Sequence, residues 1–162
     1  MLTAERLREL LNYDPETGVF TRRGNRAVRR WKDGQVAGWV HKHNGYALIR
    51  IGDRDYFSHR LAWLYVTGDW PRTDIDHIDG IKTNNAFHNL REATEIVNAQ
   101  NQKRAHRGTK SGILGVYPKG RRWMASICVD KVPKYLGTFD TADEAHATYL
   151  EAKRALHPGC TI

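Results

Sequence analysis

Between Asn101 and Gly112 the chain reads NQKRAHRGTKSG and supplies no large apolar side chain. Such a stretch adds nothing to a hydrophobic core, and its Gly, Ser, Thr and basic residues have the composition of a linker. The three strand candidates and one amphipathic helix that follow it could form a small second unit. A length of 162 residues suits one ordinary domain or two small ones. A hydrophobic content of 40% with five Trp argues for folded structure rather than disorder. We expect residues 1–102 to form one domain, 103–112 a basic linker and 113–162 a second domain.

The 26 Lys and Arg outnumber 18 Asp and Glu, giving a formal net charge of +8. An excess of this size points to an anionic polymer or surface as partner. A membrane is the weaker option, because no apolar run approaches the roughly 18 residues that span a bilayer. The start MLTAERLREL mixes acids with bases and has no continuous apolar core, so it does not read as a secretory signal. Cys128 and Cys160 form no C-x-x-C pair, which argues against a disulfide framework and a thiolate zinc site. A reducing, cytoplasmic setting is expected.

Thr3 is placed to cap a short helix carrying Leu7, Leu10 and Leu11. The turn-rich NYDPETG should end it. VFTRR, QVAGWV and YALIRI read as short strands, and SHRLAWLYVTG as a helix stopped by Gly68. TDIDHI and LREAT look like two more strands, followed by a helix in EIVNAQNQKRA capped by Thr94. Beyond the linker, GVY, RWMASICV and KYLGTF are strand candidates. Thr141 and Glu144 make a capping box before a helix with Ala145, Tyr149, Ala152 and Leu156 on one face.

The stretch DHIDGIKTNNAFHNLREATEIVN, Asp76 to Asn98, gathers small oxygen and imidazole side chains inside a basic chain. Asp76 offers a hard anionic oxygen and Asn98 a neutral one, a donor set that suits Mg²⁺ or Mn²⁺ rather than Zn²⁺. Imidazole titrates near neutrality, so His77 is a candidate to take a proton from water. His77 follows Asp76 directly, and strand neighbours point to opposite faces. Both reach one site only where the strand ends or bends. Asn89 would sit between the strands, where its amide can tie loop backbone groups together. Asp79 is either a supporting group of the site or a turn former, and Asn84 and Asn85 are read as shaping the turn. His88 is read as surface, as is the pair His41 and His43. His59 either orients a phosphate or packs in the core.

The order Asp76, His77, Ile78, Asp79, Gly80, Asn84, Asn85, Asn89, Leu90, Arg91 and then Asn98 resembles the HNH nuclease family, most closely its phage-borne homing endonucleases. HRLAW upstream and YDPETGVF near the start belong to the same pattern, so the resemblance covers about residues 3 to 102. It implies a ββα-metal fold around one divalent ion, Mg²⁺ or Mn²⁺, and a cut leaving 5′-phosphate and 3′-hydroxyl. Carried over, His77 is the general base, Asn89 orients the loop, and Asp76 and Asn98 are metal ligands. It also implies a phage-encoded protein acting in the bacterial cytoplasm. Ile81 and Ala86 depart from the pattern, at positions where relatives carry polar or basic residues.

Residues 111–157 resemble the plant ethylene-response-factor (APETALA-type) DNA-binding domain. The resemblance rests on Gly115, Val116, Trp123, Ala125, Ile127, the run YLGTFDTADEA, Tyr149 and Ala152. It implies a three-stranded sheet in the DNA major groove with a helix behind it. Strand parity then turns Ala125 and Ile127 to the helix, and Tyr117, Arg122, Met124, Ser126, Cys128 and Tyr135 to DNA. Tyr117, Ser126 and Cys128 replace arginines that read bases in the plant domains. What remains is phosphate contact from Lys119, Arg121, Arg122, Lys131 and Lys134, with aromatic surface from Tyr117 and Tyr135. Lys103, Arg104, Arg107 and Lys110 of the linker either follow the backbone or are simply solvated.

The expected fold class is α+β: a ββα-metal nuclease core with a small N-terminal sheet, and a C-terminal three-stranded antiparallel sheet packed on one helix. The expected function is a metal-dependent DNA endonuclease, acting as a monomer on double-stranded DNA without a nucleotide cofactor. The alternative is a non-catalytic DNA-binding regulator descended from a nuclease; RNA binding or cleavage is the weaker third reading.

Overall fold

The computed structural model describes residues 1–24, 32–106 and 108–161. They form two compact units, Met1–Ala93 and Thr94–Ile162. Arg107, one of the linker bases, lies outside the described residues.

The first unit opens with α1 (Ala4–Leu10), where the Thr3 hydroxyl accepts from the Arg6 N–H at 3.2 Å. The helix ends one residue earlier than its leucine pattern suggests. Leu11 instead starts β1 (Leu11–Tyr13), which pairs antiparallel with β2 (Phe20–Arg22). β3 (Trp39–Val40), β4 (Ala47–Ile51) and β5 (Arg54–Phe57) make a meander with β4 in the middle. β5 is polar at Arg54 and Asp55, which is why its sequence does not announce a strand; the Gly52–Asp53 turn and pairing with β4 create it. α2 (Ser58–Thr67) ends where Gly68 takes φ +87°, a left-handed conformation suited to glycine. β6 (Asp74–His77) pairs with β7 (Leu90–Ala93), and a single 3₁₀ turn (Phe87–Asn89) precedes β7. Leu7, Leu11, Phe20, Ile49, Leu61, Leu64, Ile75 and Leu90 are the buried centre on which these small sheets and two helices close.

The second unit begins with α3 (Glu95–Gln100), capped by the Thr94 hydroxyl as its sequence suggests. The division at Ala93/Thr94 precedes the expected boundary at residue 102. The residues after Thr94 bond to the chain's end: the Gly159 N–H donates to Gln100 Oε1 at 3.0 Å, Thr161 bonds Asn101, and the Lys153 ammonium donates to the Gln102 carbonyl. Lys153 is only 1% exposed, and burial lowers its pKa. β8 (Val116–Lys119), β9 (Arg122–Val129) and β10 (Val132–Phe139) form an antiparallel sheet with β9 central. α4 (Ala142–Leu156) lies against it, and Thr141 and Glu144 close the capping box in both directions. Ala125 and Ile127 of β9 are buried with Val116, Ala145 and Tyr149, as strand parity requires. Gly115, at φ +75°, leaves no room for a Cβ against the Tyr149 ring. The architecture is α+β throughout.

Candidate active site

β6 delivers Asp76 and His77 to its end, and period-two alternation separates them. Ile75 and His77 are buried, while Asp76 lies on the other face. Asp76 is opposite Arg91 in the β6–β7 register. Arg91 donates from Nε at 3.0 Å and Nη2 at 2.8 Å to the same oxygen, Oδ2. His77 stands opposite Leu90, and its carbonyl accepts from the Gly80 N–H at 2.8 Å as the strand turns away.

Around the His77 ring the walls are aromatic. Tyr46, just before β4, lies 6.0 Å away between centroids. His59 from α2 meets the ring edge-on at 5.2 Å, with Phe57 stacked behind His59. His77 is only 4% exposed, and its Nε2 lies 3.1 Å from Asn85 Oδ1. Of the two sequence readings of His59, the structure shows core packing. Its ring is buried, its Nδ1 has no hydrogen-bond partner among the described residues, and burial first, then His77 and Arg60, pushes its pKa down to about 3.

The loop between the strands is tied by Asn89. Its Nδ2 donates to Asp79 Oδ1 at 3.0 Å and to the Asn84 carbonyl at 2.8 Å, while its Oδ1 accepts from the Asp79 N–H at 3.0 Å. The Asp79 carboxylate also accepts from the Ile81 N–H at 2.7 Å and Asn84 Nδ2 at 2.7 Å. Burial would raise its pKa, but these hydrogen bonds and the nearby His77 together lower it. Asp79 is thus the hub of the turn. Lys82 reaches back over the Tyr46 ring at 4.5 Å and donates to the Asn44 carbonyl at 3.1 Å. His88 is exposed, and His41 and His43 sit together in the β3–β4 turn with centroids 5.6 Å apart.

Asn98 is on α3 in the second unit, where its N–H bonds the Thr94 carbonyl at 2.9 Å. No group of three or more His, Cys, Asp or Glu suited to a metal occurs among the described residues. No helix among them is long and apolar enough to cross a membrane. On the C-terminal sheet, Tyr117, Arg122, Met124, Ser126 and Tyr135 share the face away from α4. Lys119 pairs with Arg122 on that face, its ammonium 5.8 Å from the Tyr135 ring. Arg122 is already engaged by Asp140 at 2.8 Å. Arg121 and Lys131 lie in the two hairpin turns. Lys134 pairs with the buried Ile127 and so belongs to the helix-facing set, opposite in sense to Tyr135.

Residues 56–100 match the HNH endonuclease family. The matched segment runs from β5 through α2 and the β6–β7 pair to the end of α3, and so takes in Asp76, His77, Asn89 and Asn98. A solved structure described as DNA binding and cleavage by the HNH homing endonuclease I-HmuI aligns with TM-score 0.45 and 20% identity, over 93% of this chain and 88% of that one. No curated protein gives a significant match. The contact of Asn85 with His77 is not legible in the sequence, because residue type alone does not tell a turn former from a hydrogen-bond partner of His77.

Proposed function

We propose that the chain is a metal-dependent DNA endonuclease, with His77 as general base and with Asp76 and Asn98 holding one divalent cation, Mg²⁺ or Mn²⁺. The observation that carries this reading is a buried, hydrogen-bonded imidazole at the end of β6, inside the segment that matches the HNH endonuclease family.

The donor chemistry fits the ion. One carboxylate and one carboxamide are hard oxygen ligands, and neither belongs to a set a zinc ion would select. A divalent cation held by Asp76 and Asn98 would supply Lewis-acid stabilisation of the charge that develops on the scissile phosphate and the leaving 3′ oxygen. His77 would accept the proton of the attacking water as its oxygen bonds to phosphorus and the P–O3′ bond breaks; the 3′ oxygen then takes a proton from solvent, leaving 5′-phosphate and 3′-hydroxyl. Tyr46 and His59 limit water around the imidazole, and Asn89 holds the loop that frames it. Arg91 fixes the Asp76 carboxylate through Oδ2.

The C-terminal unit is proposed to bind duplex DNA in the manner of the ethylene-response-factor domain. Tyr117 and Tyr135 would supply aromatic surface, with Lys119, Arg121, Arg122 and Lys131 contacting phosphates; Lys134, which pairs with the buried Ile127, leaves that set. Nicking of supercoiled plasmid separates the two readings. The endonuclease converts it in Mg²⁺ or Mn²⁺, loses activity in EDTA, and is not restored by Zn²⁺. A regulator binds the plasmid and leaves it supercoiled under all these conditions.

A further inference from the structure

Asn85 is only 3% exposed, and both ends of its side-chain amide are spoken for. Nδ2 lies 3.3 Å from the Thr83 carbonyl, which accepts hydrogen bonds and cannot donate. The amide nitrogen must therefore face Thr83, which turns Oδ1 toward His77. Oδ1 is itself an acceptor only. The 3.1 Å contact with His77 Nε2 then requires the proton on Nε2 and puts the lone pair of the neutral ring on Nδ1.

Asn85 is held from the other side by the chain's start. The Tyr13 hydroxyl donates to the Asn85 carbonyl at 2.7 Å, and the Phe87 N–H donates to the Pro15 carbonyl at 2.8 Å. Gly18, at φ +72°, lies so close that a Cβ there would collide with the Asn85 carbonyl carbon and the Ala86 nitrogen. Asp14 keeps this turn closed by accepting from the Glu16 N–H at 3.0 Å and the Thr17 hydroxyl at 2.7 Å. The YDPETG segment thus presses on the backbone of the residue that faces the imidazole.

We propose that Asn85 is a positioning residue that fixes the tautomer of His77, with Nδ1 as the proton-accepting atom, and that the Tyr13–Gly18 segment buttresses it. Its catalytic consequence rests on His77 being the general base; the tautomer does not. A base oriented by a third group is a recurring arrangement in hydrolytic sites.

The test is long-range ¹H–¹⁵N correlation on the ¹⁵N-labelled full chain, at a pH where the ring is neutral, joined to cleavage kinetics. The wild-type His77 ring should show Nε2–H only. Asn85→Leu, of similar size but without an acceptor, should give a mixture with Nδ1–H. Its kcat should fall at least about 10-fold, toward the ~10²–10⁴-fold cost of losing a general base, with KM for DNA little changed. Asn85→Asp keeps the acceptor and should recover the Nε2–H signature and part of kcat. Gly18→Ala should lower kcat without touching the pocket's side chains. A wild-type ring carrying Nδ1–H overturns the proposal, and this holds even if Asn85→Leu does not fold. An Asn85→Leu protein with unchanged tautomer and kcat overturns it too. If the tautomer is Nε2–H but His77→Ala cleaves normally, the general-base reading fails while the tautomer assignment stands.

Discussion

His59 and His77 touch edge to face, yet their surroundings ask different things of them. His59 has a buried Nδ1 without a hydrogen-bond partner among the described residues, and its pKa falls to about 3. The unfolded chain takes up a proton there below about pH 6.5, and the folded chain does not until about pH 3. Between those values the unfolded state holds more protons, so stability falls as the pH falls, by at most about 1.4 kcal/mol per pH unit from this residue. His59→Phe keeps the ring stacking and removes the titration. Urea denaturation at pH 7 and pH 5 should show wild type losing more stability than the variant, by up to about 2 kcal/mol. Equal losses would mean that His59 is solvated in the folded chain. At this scale spacing singles out Asp76, His77, Asn89 and Asn98 as candidates. It leaves Asn85 and His59 ambiguous, because their roles depend on which atom faces which neighbour.

The loop from Ile78 to Asn89 is one element held by a few side chains rather than by regular structure. Asn89 uses both its Nδ2 group and its Oδ1 inside it, and Asp79 gathers the other ends. Asn89→Ala leaves a half-buried carboxylate and a backbone N–H short of partners. The expected cost is about 1–3 kcal/mol, read from the midpoint of chemical denaturation. A midpoint equal to wild type would show the loop to be held elsewhere. The turn chemistry is visible in DHIDG and NN, but their pairing is not, since Asp79 and Asn89 meet only when β6 and β7 align. Caps are the most legible local feature: Thr3, Thr94 and Thr141 all sit where their sequences place them. β5 is not legible, because pairing with β4 makes Arg54–Phe57 a strand against its polar composition. In the C-terminal sheet the parity of β9 is readable. The shift of register between Tyr135 and Gly137, and with it the place of Leu136, is not.

Over the whole molecule, the described residues form two units, Met1–Ala93 and Thr94–Ile162, each with its own hydrophobic core. Gly159 bonds Gln100, and Lys153 bonds the Gln102 carbonyl, so the end of α3 and the residues just after it are bonded to the C-terminal segment. Cutting the chain within the linker would strip α3 of those partners, so affinity is better tested in the full chain. Lys119→Ala, Arg121→Ala and Lys131→Ala together should weaken DNA binding. They should reduce the slope of log affinity against log salt by close to one unit for each phosphate left without its cation, and leave the preferred cut positions unchanged. Altered cut positions would show that the sheet reads sequence. The most direct test of the nuclease assignment is His77→Ala measured twice at one salt concentration, by plasmid nicking and by gel shift. The predicted result is a nicking rate lower by on the order of 10²–10⁴ with DNA affinity nearly unchanged. Nicking by His77→Ala at the wild-type rate would contradict it.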